Sequence, residues 1–195
     1  MAKIAKMILR RAQTIFLIAL LLVNCPVTRA SAAEREQGIL EIQIKDHREA
    51  IGDFAKLDVT IGNLLVSPKP GLKFWRTGWH ELEATPDTID LTRYAGGTGV
   101  RVYRSAIDAG EFDAFHLKVK TIEGRLKKNK RGAAVKNTVG PVKLAFNVTP
   151  QGKTLLIIDL VVTDFSDHPP RGYELGLRGY ELYTNGKLIE RVPPG

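Results

Sequence analysis

The chain has 195 residues, 44% of them hydrophobic and 26% charged, with a formal net charge of +8 and one cysteine. This length is sufficient for one domain of ordinary size with its own core. A single cysteine excludes a disulfide framework and a zinc centre built from several thiolates.

Residues 1–32 are organised like a secretory signal peptide. A basic start without acidic residues precedes the apolar run Ile15 to Val23, and Ala30-Ser31-Ala32 supplies a small-residue cleavage site. The run of nine residues is shorter than the roughly 20 residues that a membrane-spanning helix needs. We therefore predict cleavage after Ala32, one mature domain of residues 33–195 without a transmembrane span, and export to the periplasm or the extracellular space.

Cys25 follows Leu22-Val23-Asn24, which resembles the lipobox of bacterial lipoproteins. Lipidation of Cys25 would anchor the exported protein, whereas cleavage after Ala32 would remove this cysteine with the signal. We favour cleavage, because a lipobox has a small residue where this chain has Asn24. The mature chain then has no cysteine, and its 24 basic and 21 acidic residues give it a net charge of +3.

The mature chain alternates apolar and polar residues with a period of two, which is the pattern of half-buried antiparallel strands. The alternating segments are residues 38–46, 55–63, 115–120 and 142–149. Residues 155–162 are apolar at nearly every position and predict a central strand that is covered on both faces. Asn185-Gly186 is a pair that the type I′ turn of a hairpin requires.

These elements predict an all-β fold after the signal peptide. The spacing of the strands is typical of an antiparallel β-sandwich, Greek-key-like, with about seven to nine strands. Helix is limited to short turns near Ile51–Ala55 and Leu91–Tyr94.

Both tryptophans, Trp75 and Trp79, flank a turn. Exposed aromatic rings on a β-sandwich can stack on sugar rings, whereas a tryptophan in a half-buried strand is more often part of the core. We take Trp75 as the carbohydrate-binding candidate and expect Trp79 to pack in the core.

Residues 117–143 contain nine basic residues and one acidic residue, so they carry +8 while the rest of the mature chain carries −5. The ligand-binding candidates among them are Lys118, Lys120, Arg125, Lys127, Lys128, Lys130 and Arg131. Such a charge distribution can dock an acidic polysaccharide, an anionic lipid surface or an envelope protein. Nucleic acid is not expected, because the segment has no aromatic residue for base stacking. Alternatively, these charges only keep a solvated hairpin edge from pairing with other chains.

Asp164, Asp167 and His168 form the densest group of oxygen and imidazole donors, a weak candidate for calcium or zinc. Alternatively, the two aspartates accept hydrogen bonds from the backbone of a turn before Pro169-Pro170. We favour the turn, and we expect no metal and no cofactor.

The pentapeptide RGYEL occurs twice, at residues 171–175 and 178–182. Because the offset of seven residues is odd, Tyr173 and Tyr180 would face opposite sides of a regular strand. Either a bulge at Gly176 or Gly179 brings both tyrosines to one face, or residues 177–179 form a turn. Aligned tyrosines would make a small binding ladder; we favour a segment that simply closes the sandwich.

Six short motifs follow one another in a characteristic order. They are Gly38-x-Leu40-x-Ile42-x-Ile44-x-Asp46, Leu57-x-Val59-x-Ile61, Trp79-x-x-Leu82, Ile89-Asp90-Leu91, Ala109-Gly110-x-Phe112 and Leu155-x-Ile157-x-Asp159. From about Gly38 to Tyr173 the chain resembles the secreted bacterial and archaeal family known as domain of unknown function 4382. The resemblance implies an extracytoplasmic β-sandwich, frequently lipid-anchored, without established catalytic residues. The chain departs from the family at Asp46-His47-Arg48, where Asp-Ala-Pro is usual.

The sequence has no catalytic constellation: neither G-x-S-x-G nor H-E-x-x-H occurs. We therefore expect a non-catalytic exported module that binds or organises cell-envelope material, either polyanionic or carbohydrate. One alternative is a polysaccharide-active or metal-assisted enzyme, in which carboxylates such as Glu81 and Glu83 or histidines converge in one cleft. Another is a carrier of an apolar ligand between the sheets, near Phe115, Leu117 and Phe146.

Overall fold

The computed structural model describes residues 36–69, 78–97, 99–166 and 172–192. By its internal contacts the chain divides into two units, Met1–Glu34 and Arg35–Gly195, and all described residues belong to the second. The predicted signal segment and Cys25 lie outside the described residues. Within them, no helix is both long and apolar enough to cross a membrane.

The described residues form twelve strands, which confirms the prediction of an all-β fold. In chain order they are β1 (Gln37–Asp46), β2 (Phe54–Pro68), β3 (His80–Leu82), β4 (Thr88–Asp90), β5 (Val100–Asp108), β6 (Gly110–Leu126), β7 (Gly132–Ala133), β8 (Val135–Asn137), β9 (Val142–Val148), β10 (Lys153–Asp164), β11 (Tyr173–Thr184) and β12 (Lys187–Val192). Single 3₁₀ turns, Ala50–Asp53 and Leu91–Arg93, lie where the sequence predicts short helical turns. There are more strands than predicted because segments of only two or three residues also pair.

The strands form two sheets. Sheet A has the order β12-β11-β10-β1-β5 with β8 paired to β11, and sheet B has the order β3-β2-β6-β7 with β4 paired to β2 and β9 to β6. Two pairings, β1 with β10 and β8 with β11, are parallel and depart from the predicted antiparallel arrangement. β1 therefore lies between the antiparallel β5 and the parallel β10, which comes much later in the chain.

The core lies between the two sheets. From sheet A, Leu40, Ile42 and Ile44 of β1 are fully buried, and from sheet B the same holds for Leu57 and Val59 of β2. Burial of each such side chain stabilises the fold by roughly 1.5–3 kcal/mol. The alternation in the sequence thus identifies the inward face of each strand correctly.

β10 is a central strand of sheet A, as predicted, but it is not covered equally on both faces. Leu156 and Ile158 are buried in the core, whereas Leu155 and Ile157, on the opposite face, are only half-buried. Charged side chains of neighbouring strands flank this outer face, and among them Lys45 Nζ lies 3.0 Å from Glu181 Oε1. Farther along the same outer face Asp159 and Val161 are buried, so the predicted coverage on both faces holds for the second half of the strand.

Tyr173-Glu174-Leu175 of the first RGYEL and the whole second copy, Arg178–Leu182, belong to one strand, β11. Pairing with β10 joins Asp159 to Gly179 and Leu160 to Leu177, so Arg178 is an extra, bulged residue. This bulge resets the alternation, and Tyr173 and Tyr180 both face the core, 3% and 8% exposed. Beyond the strand, Asn185 and Gly186 have φ values of +50° and +81°, as the predicted type I′ turn requires. The segment closes the sandwich, and its tyrosines are core residues.

Candidate functional site

The seven basic candidate residues lie along one strand and the turn that follows it. We call them the basic stripe: Lys118, Lys120 and Arg125 on β6, and Lys127, Lys128, Lys130 and Arg131 in the turn before β7. All seven are exposed. At about 3.3 Å per residue, the Cα atoms of Lys118 and Arg125 are roughly 23 Å apart along β6.

A bulge in β6 is the reason that the stripe occupies a single face. Lys118 and Arg125 are an odd number of residues apart and would face opposite sides of a regular strand. Pairing with β2 joins Thr60 to Thr121 and Ile61 to Val119, so Lys120 is an extra residue. Leu117 and Val119 therefore pack inward before the bulge and Ile122 and Leu126 after it, while the stripe faces outward.

Hydrogen bonds define the backbone of the turn at the end of the stripe. The N–H of Lys130 donates to the Leu126 carbonyl oxygen over 3.1 Å, and the N–H of Leu126 donates to the Arg131 carbonyl oxygen over 3.0 Å. Asn129 Oδ1 accepts from the Arg131 N–H over 3.0 Å. Lys130 has a φ of +55°, the left-handed conformation that such a turn needs. The turn thus presents its four cations from a hydrogen-bonded backbone.

The charges of the stripe are not neutralised by the protein itself. Among the described residues, none of the seven forms an ion pair. The outer face of sheet A is different, because there Lys153 Nζ lies 2.9 Å from Glu41 Oε2, and Lys45 and Arg191 both pair with Glu181. The outer face of sheet B also has a pair, Lys56 with Asp58, and Glu123 lies between Lys120 and Arg125. The seven cations of the stripe nevertheless form no ion pair with a described residue and are available to an external anion.

Trp79, which we expected to pack in the core, is 43% exposed. It precedes β3, a strand at the edge of sheet B, so few neighbouring residues can cover the ring. The indole packs in a T-shaped arrangement on His116, with 6.3 Å between ring centroids. Burial, together with the charge of Lys118, lowers the pKa of His116, although a hydrogen bond to the Val139 backbone opposes the shift. Trp75 lies outside the described residues.

Trp79 borders a cleft of about 570 Å³. The residues that line it are Val66, Pro68, Gly78, Trp79, His80, Leu82, Ile107, Asp108, Ala109, Gly110, Glu111 and Phe112. Val66 and Phe112 are buried and form an apolar floor, whereas His80, Asp108 and Glu111 are exposed and polar. Lys69 Nζ lies 2.8 Å from Glu111 Oε2 at this rim. The cleft therefore combines an exposed aromatic ring with polar groups that can form hydrogen bonds.

A second cleft, of about 690 Å³, contains the carboxylates Glu81, Glu83 and Asp87. Lys120 and Asn63 also line it, and Asn63 Nδ2 donates to Glu81 Oε2 over 2.9 Å. All three carboxylates are exposed. General acids of glycosidases ordinarily lie in apolar pockets, whereas these three groups lie on the exposed surface.

Of the weak metal candidates, Asp164 is described and Asp167 and His168 lie outside the described residues. Asp164 Oδ1 accepts from the backbone N–H of Ser166 over 3.1 Å and from its hydroxyl over 2.7 Å, which is the turn arrangement that we favoured. Within the described ranges, no group of three His, Cys, Asp or Glu side chains is arranged to hold a metal ion.

The apolar-carrier alternative concerned Phe115, Leu117 and Phe146. All three are buried in the core, and Phe146 stacks on Phe112 with 4.8 Å between ring centroids. Protein side chains thus contact one another where that alternative would place a ligand.

Among the described residues, sheet A contains three buried carboxylates that the sequence did not indicate as functional residues, and one of them, Glu41, pairs with Lys153. Asp46 is 1% exposed, and Asp159 is 9% exposed. Burial raises the pKa of Asp46 to about 6, an effect that the charge of Asp159 reinforces and a hydrogen bond from the Arg48 N–H opposes. The sequence contained a signal for Asp46, since it continues the inward series Leu40, Ile42 and Ile44 of β1.

No curated protein and no solved structure matches the chain. A family model described as Domain of unknown function (DUF4382) matches residues 37–175. The match begins with the first residue of β1 and ends in the first residues of β11, so it contains the basic stripe and the Trp79 cleft. Because the matched region is well over half of the chain, this protein belongs to the DUF4382 family, as the order of its motifs predicts.

Proposed function

We propose that this protein is a non-catalytic, exported binding module that holds an extended acidic polysaccharide of the cell envelope on the basic stripe. The observation that carries the proposal is the array of exposed cations along β6 and its turn, none of which pairs with a described acidic residue. A concentrated positive potential on one face attracts a polyanion and orients it.

The shape of the stripe favours a linear polymer over a membrane surface. Side chains on alternate residues of a strand recur about every 7 Å and point the same way. After the bulge, the outward positions of β6 are Thr121, Glu123 and Arg125. The cations therefore form two groups, Lys118 with Lys120 and Arg125 with the turn, which an extended polysaccharide can bridge. A flat bilayer would mainly contact the turn, Lys127 to Arg131. Anionic lipids are therefore the competing ligand in the test.

Export is part of the same proposal. It rests on the basic, apolar and small-residue segments of residues 1–32, which together are typical of a secretory signal. Export would bring the domain to the compartment where acidic polysaccharides occur. Lipidation of Cys25 would keep the protein at a membrane there, and mass spectrometry of the exported protein would distinguish it from cleavage after Ala32.

Binding measurements on the mature protein, recovered after expression of the full chain, test this function. The ligands are polygalacturonate, neutral dextran, and vesicles with and without phosphatidylglycerol, each at low and high salt. We expect salt-sensitive binding of polygalacturonate only. Replacing Lys127, Lys128, Lys130 and Arg131 by Gln should weaken this binding at least about tenfold, because exposed charge contacts contribute up to about 1 kcal/mol each.

The matched control removes the same number of charges from elsewhere, at Arg93, Arg101, Arg104 and Lys187, all of them exposed. It should bind polygalacturonate like the unchanged protein. Equal weakening in both variants would show that only net charge matters and would refute the stripe. Binding to phosphatidylglycerol vesicles without binding to polygalacturonate would replace the proposed ligand by a lipid surface.

The enzyme alternative has a defined location in the Glu81 cleft. If the protein hydrolysed polygalacturonate, new reducing ends would appear during the binding experiment, and Glu81→Gln would abolish them. We expect no release, because the carboxylates there are exposed.

A further inference from the structure

We propose that the cleft beside Trp79 is a separate binding site for a short neutral oligosaccharide of β-1,4-linked pyranose rings. This site is independent of the polyanion function, since it contains none of the cations of the basic stripe. It differs also from the carbohydrate site predicted from the sequence, which was assigned to Trp75.

The exposure of Trp79 is the first argument. An indole has a large apolar face, and leaving 43% of this residue in water forgoes stabilisation that burial would provide. The T-shaped packing on His116 involves at most one face of the indole, because the two ring planes are inclined by 63°. The exposed part of the ring can contact a ligand that presents a flat apolar surface.

The lining of the cleft is the second argument. Val66, Leu82 and Phe112 offer aliphatic and aromatic surface, whereas His80, Asp108 and Glu111 bring polar groups to the same cleft. A pyranose has this dual character, since its axial C–H groups form an apolar face and its hydroxyl groups surround the edge. Carboxylates accept hydrogen bonds from hydroxyl groups. The pair of Glu111 with Lys69 leaves no cation in excess at this rim to attract an acidic sugar. The cleft therefore suits a neutral sugar better than an acidic one.

The dimensions agree with this ligand. A volume of about 570 Å³ lies within the range of about 300–1,000 Å³ that is typical of small-molecule sites. In β-1,4-linked glucose and N-acetylglucosamine the ring substituents are equatorial, so each ring has a flat C–H face for an indole. In α-1,4-linked glucose the glycosidic bond at C1 is axial, so the chain curves and the neighbouring ring obstructs one face of each ring.

Fluorescence and calorimetry test the site on the mature protein. In a Trp75→Phe variant, Trp79 is the sole tryptophan and reports directly on its own environment. The probes are cellotetraose and N-acetylated chitotetraose, with maltotetraose as the α-linked control. We expect a saturable change in Trp79 emission with at least one of the two β-linked probes, unchanged at high salt, and little or no change with maltotetraose.

Calorimetry with variants identifies the contact. Trp79→Ala should weaken binding roughly tenfold or more, and Trp79→Phe should lose less, because a smaller ring still stacks. Phe165→Ala removes another exposed aromatic ring, 61% exposed and outside the lining of the cleft, and should bind like the unchanged protein. Since Trp79 is substantially exposed, we expect the unfolding transitions of these variants to remain close to that of the unchanged protein.

Three results would overturn the proposal: neither β-linked probe binds, Trp79→Ala binds undiminished, or Trp75→Phe abolishes binding. The variant with Gln at four positions of the stripe separates the two functions. It should still bind the neutral probe while losing polygalacturonate, and a loss of both would contradict the independence of the cleft.

Discussion

Burial disfavours the charged form of the Asp46 carboxyl group. Its Oδ1 accepts a hydrogen bond of 2.9 Å from the Arg48 N–H, but Oδ2 is buried without a hydrogen-bond partner in the described part of the chain. Asp159 brings a second carboxylate close by, with His47 Nδ1 at 3.5 Å and Lys45 Nζ at 3.7 Å from its Oδ2. Burial is the largest cause that raises the pKa of Asp46, from 3.8 to about 6.

Asp46 consequently makes stability depend on pH with a defined sign. The folded state holds this proton more tightly than the unfolded chain, so the free energy of unfolding decreases as pH rises from 3.8 to about 6. Asp46→Asn keeps the oxygen that accepts from Arg48 and removes the charge. We expect this variant to gain roughly 1–3 kcal/mol of stability at pH 8 and little at pH 4, as measured by urea unfolding. Glu83→Gln, which removes an exposed charge, is the control. If Asp46→Asn gained the same stability at pH 4 and pH 8, the explanation would be refuted.

In β6 and β11, one bulged residue each sets the orientation of the side chains described above; β6 has a second bulged residue, Asp113, opposite Ser67 and Pro68. In β11 the bulge at Arg178 directs both tyrosines into the core, and in β6 the bulge at Lys120 directs the stripe outward. The odd offset of the repeated RGYEL left two alternatives, a bulge at Gly176 or Gly179 and a turn at residues 177–179, and the structure has a bulge at Arg178. No such repeat marks Lys120, and the register with β2 that produces its bulge depends on residues far away in the chain.

The importance of the β11 bulge can be measured by changing the number of residues. Deleting Arg178 restores strict alternation, so either Tyr173 and Leu175 or Tyr180 and Leu182 would turn away from the core. We expect a loss of about 3 kcal/mol or more, because each of these side chains contributes roughly 1.5–3 kcal/mol when buried.

Arg178→Ala is the matched control for that deletion. It preserves the number of residues and removes the ion pair with Glu49, in which the closest atoms are 3.6 Å apart. The expected loss is within about 1 kcal/mol. Urea unfolding of both variants decides the matter, since equal losses would show that the side chain, and not the bulge, stabilises this strand.

Across the whole molecule, the sequence predicts what is local better than what is distant. Alternation identifies the inward residues of β1 and β2, and Asn185-Gly186 identifies the last hairpin. The parallel pairing of β1 with β10 was missed, because no local pattern encodes a partner that is more than a hundred residues away. The exposure of the stripe could be predicted from its density of charged residues. Its lack of ion pairs and the cleft beside Trp79 could not, because both depend on which strands pair in the fold.

The basic stripe should lower the stability of the folded protein by a measurable amount. The stripe places like charges side by side, and their repulsion opposes folding. Replacing its four turn residues by Gln should leave the melting temperature at low salt unchanged or raise it, with a gain of up to about 1 kcal/mol in the free energy of unfolding. This gain should disappear at high salt, where such charges are screened. The control at Arg93, Arg101, Arg104 and Lys187 should instead be neutral or destabilising, because it breaks the pairs of Arg93 with Asp90 and of Arg104 with Glu41. A destabilised stripe variant would contradict this account.

The position of β1 between β5 and β10 also has a consequence for how the chain is made. A ribosome or an export channel delivers residues from the N-terminus, so Leu40, Ile42 and Ile44 emerge long before Lys153–Asp164. During that interval β1 can pair with β5, but its other edge stays unsatisfied and sheet A is incomplete. For the export that we propose, such a delay would be an advantage, because sheet A cannot be completed until β10 has emerged.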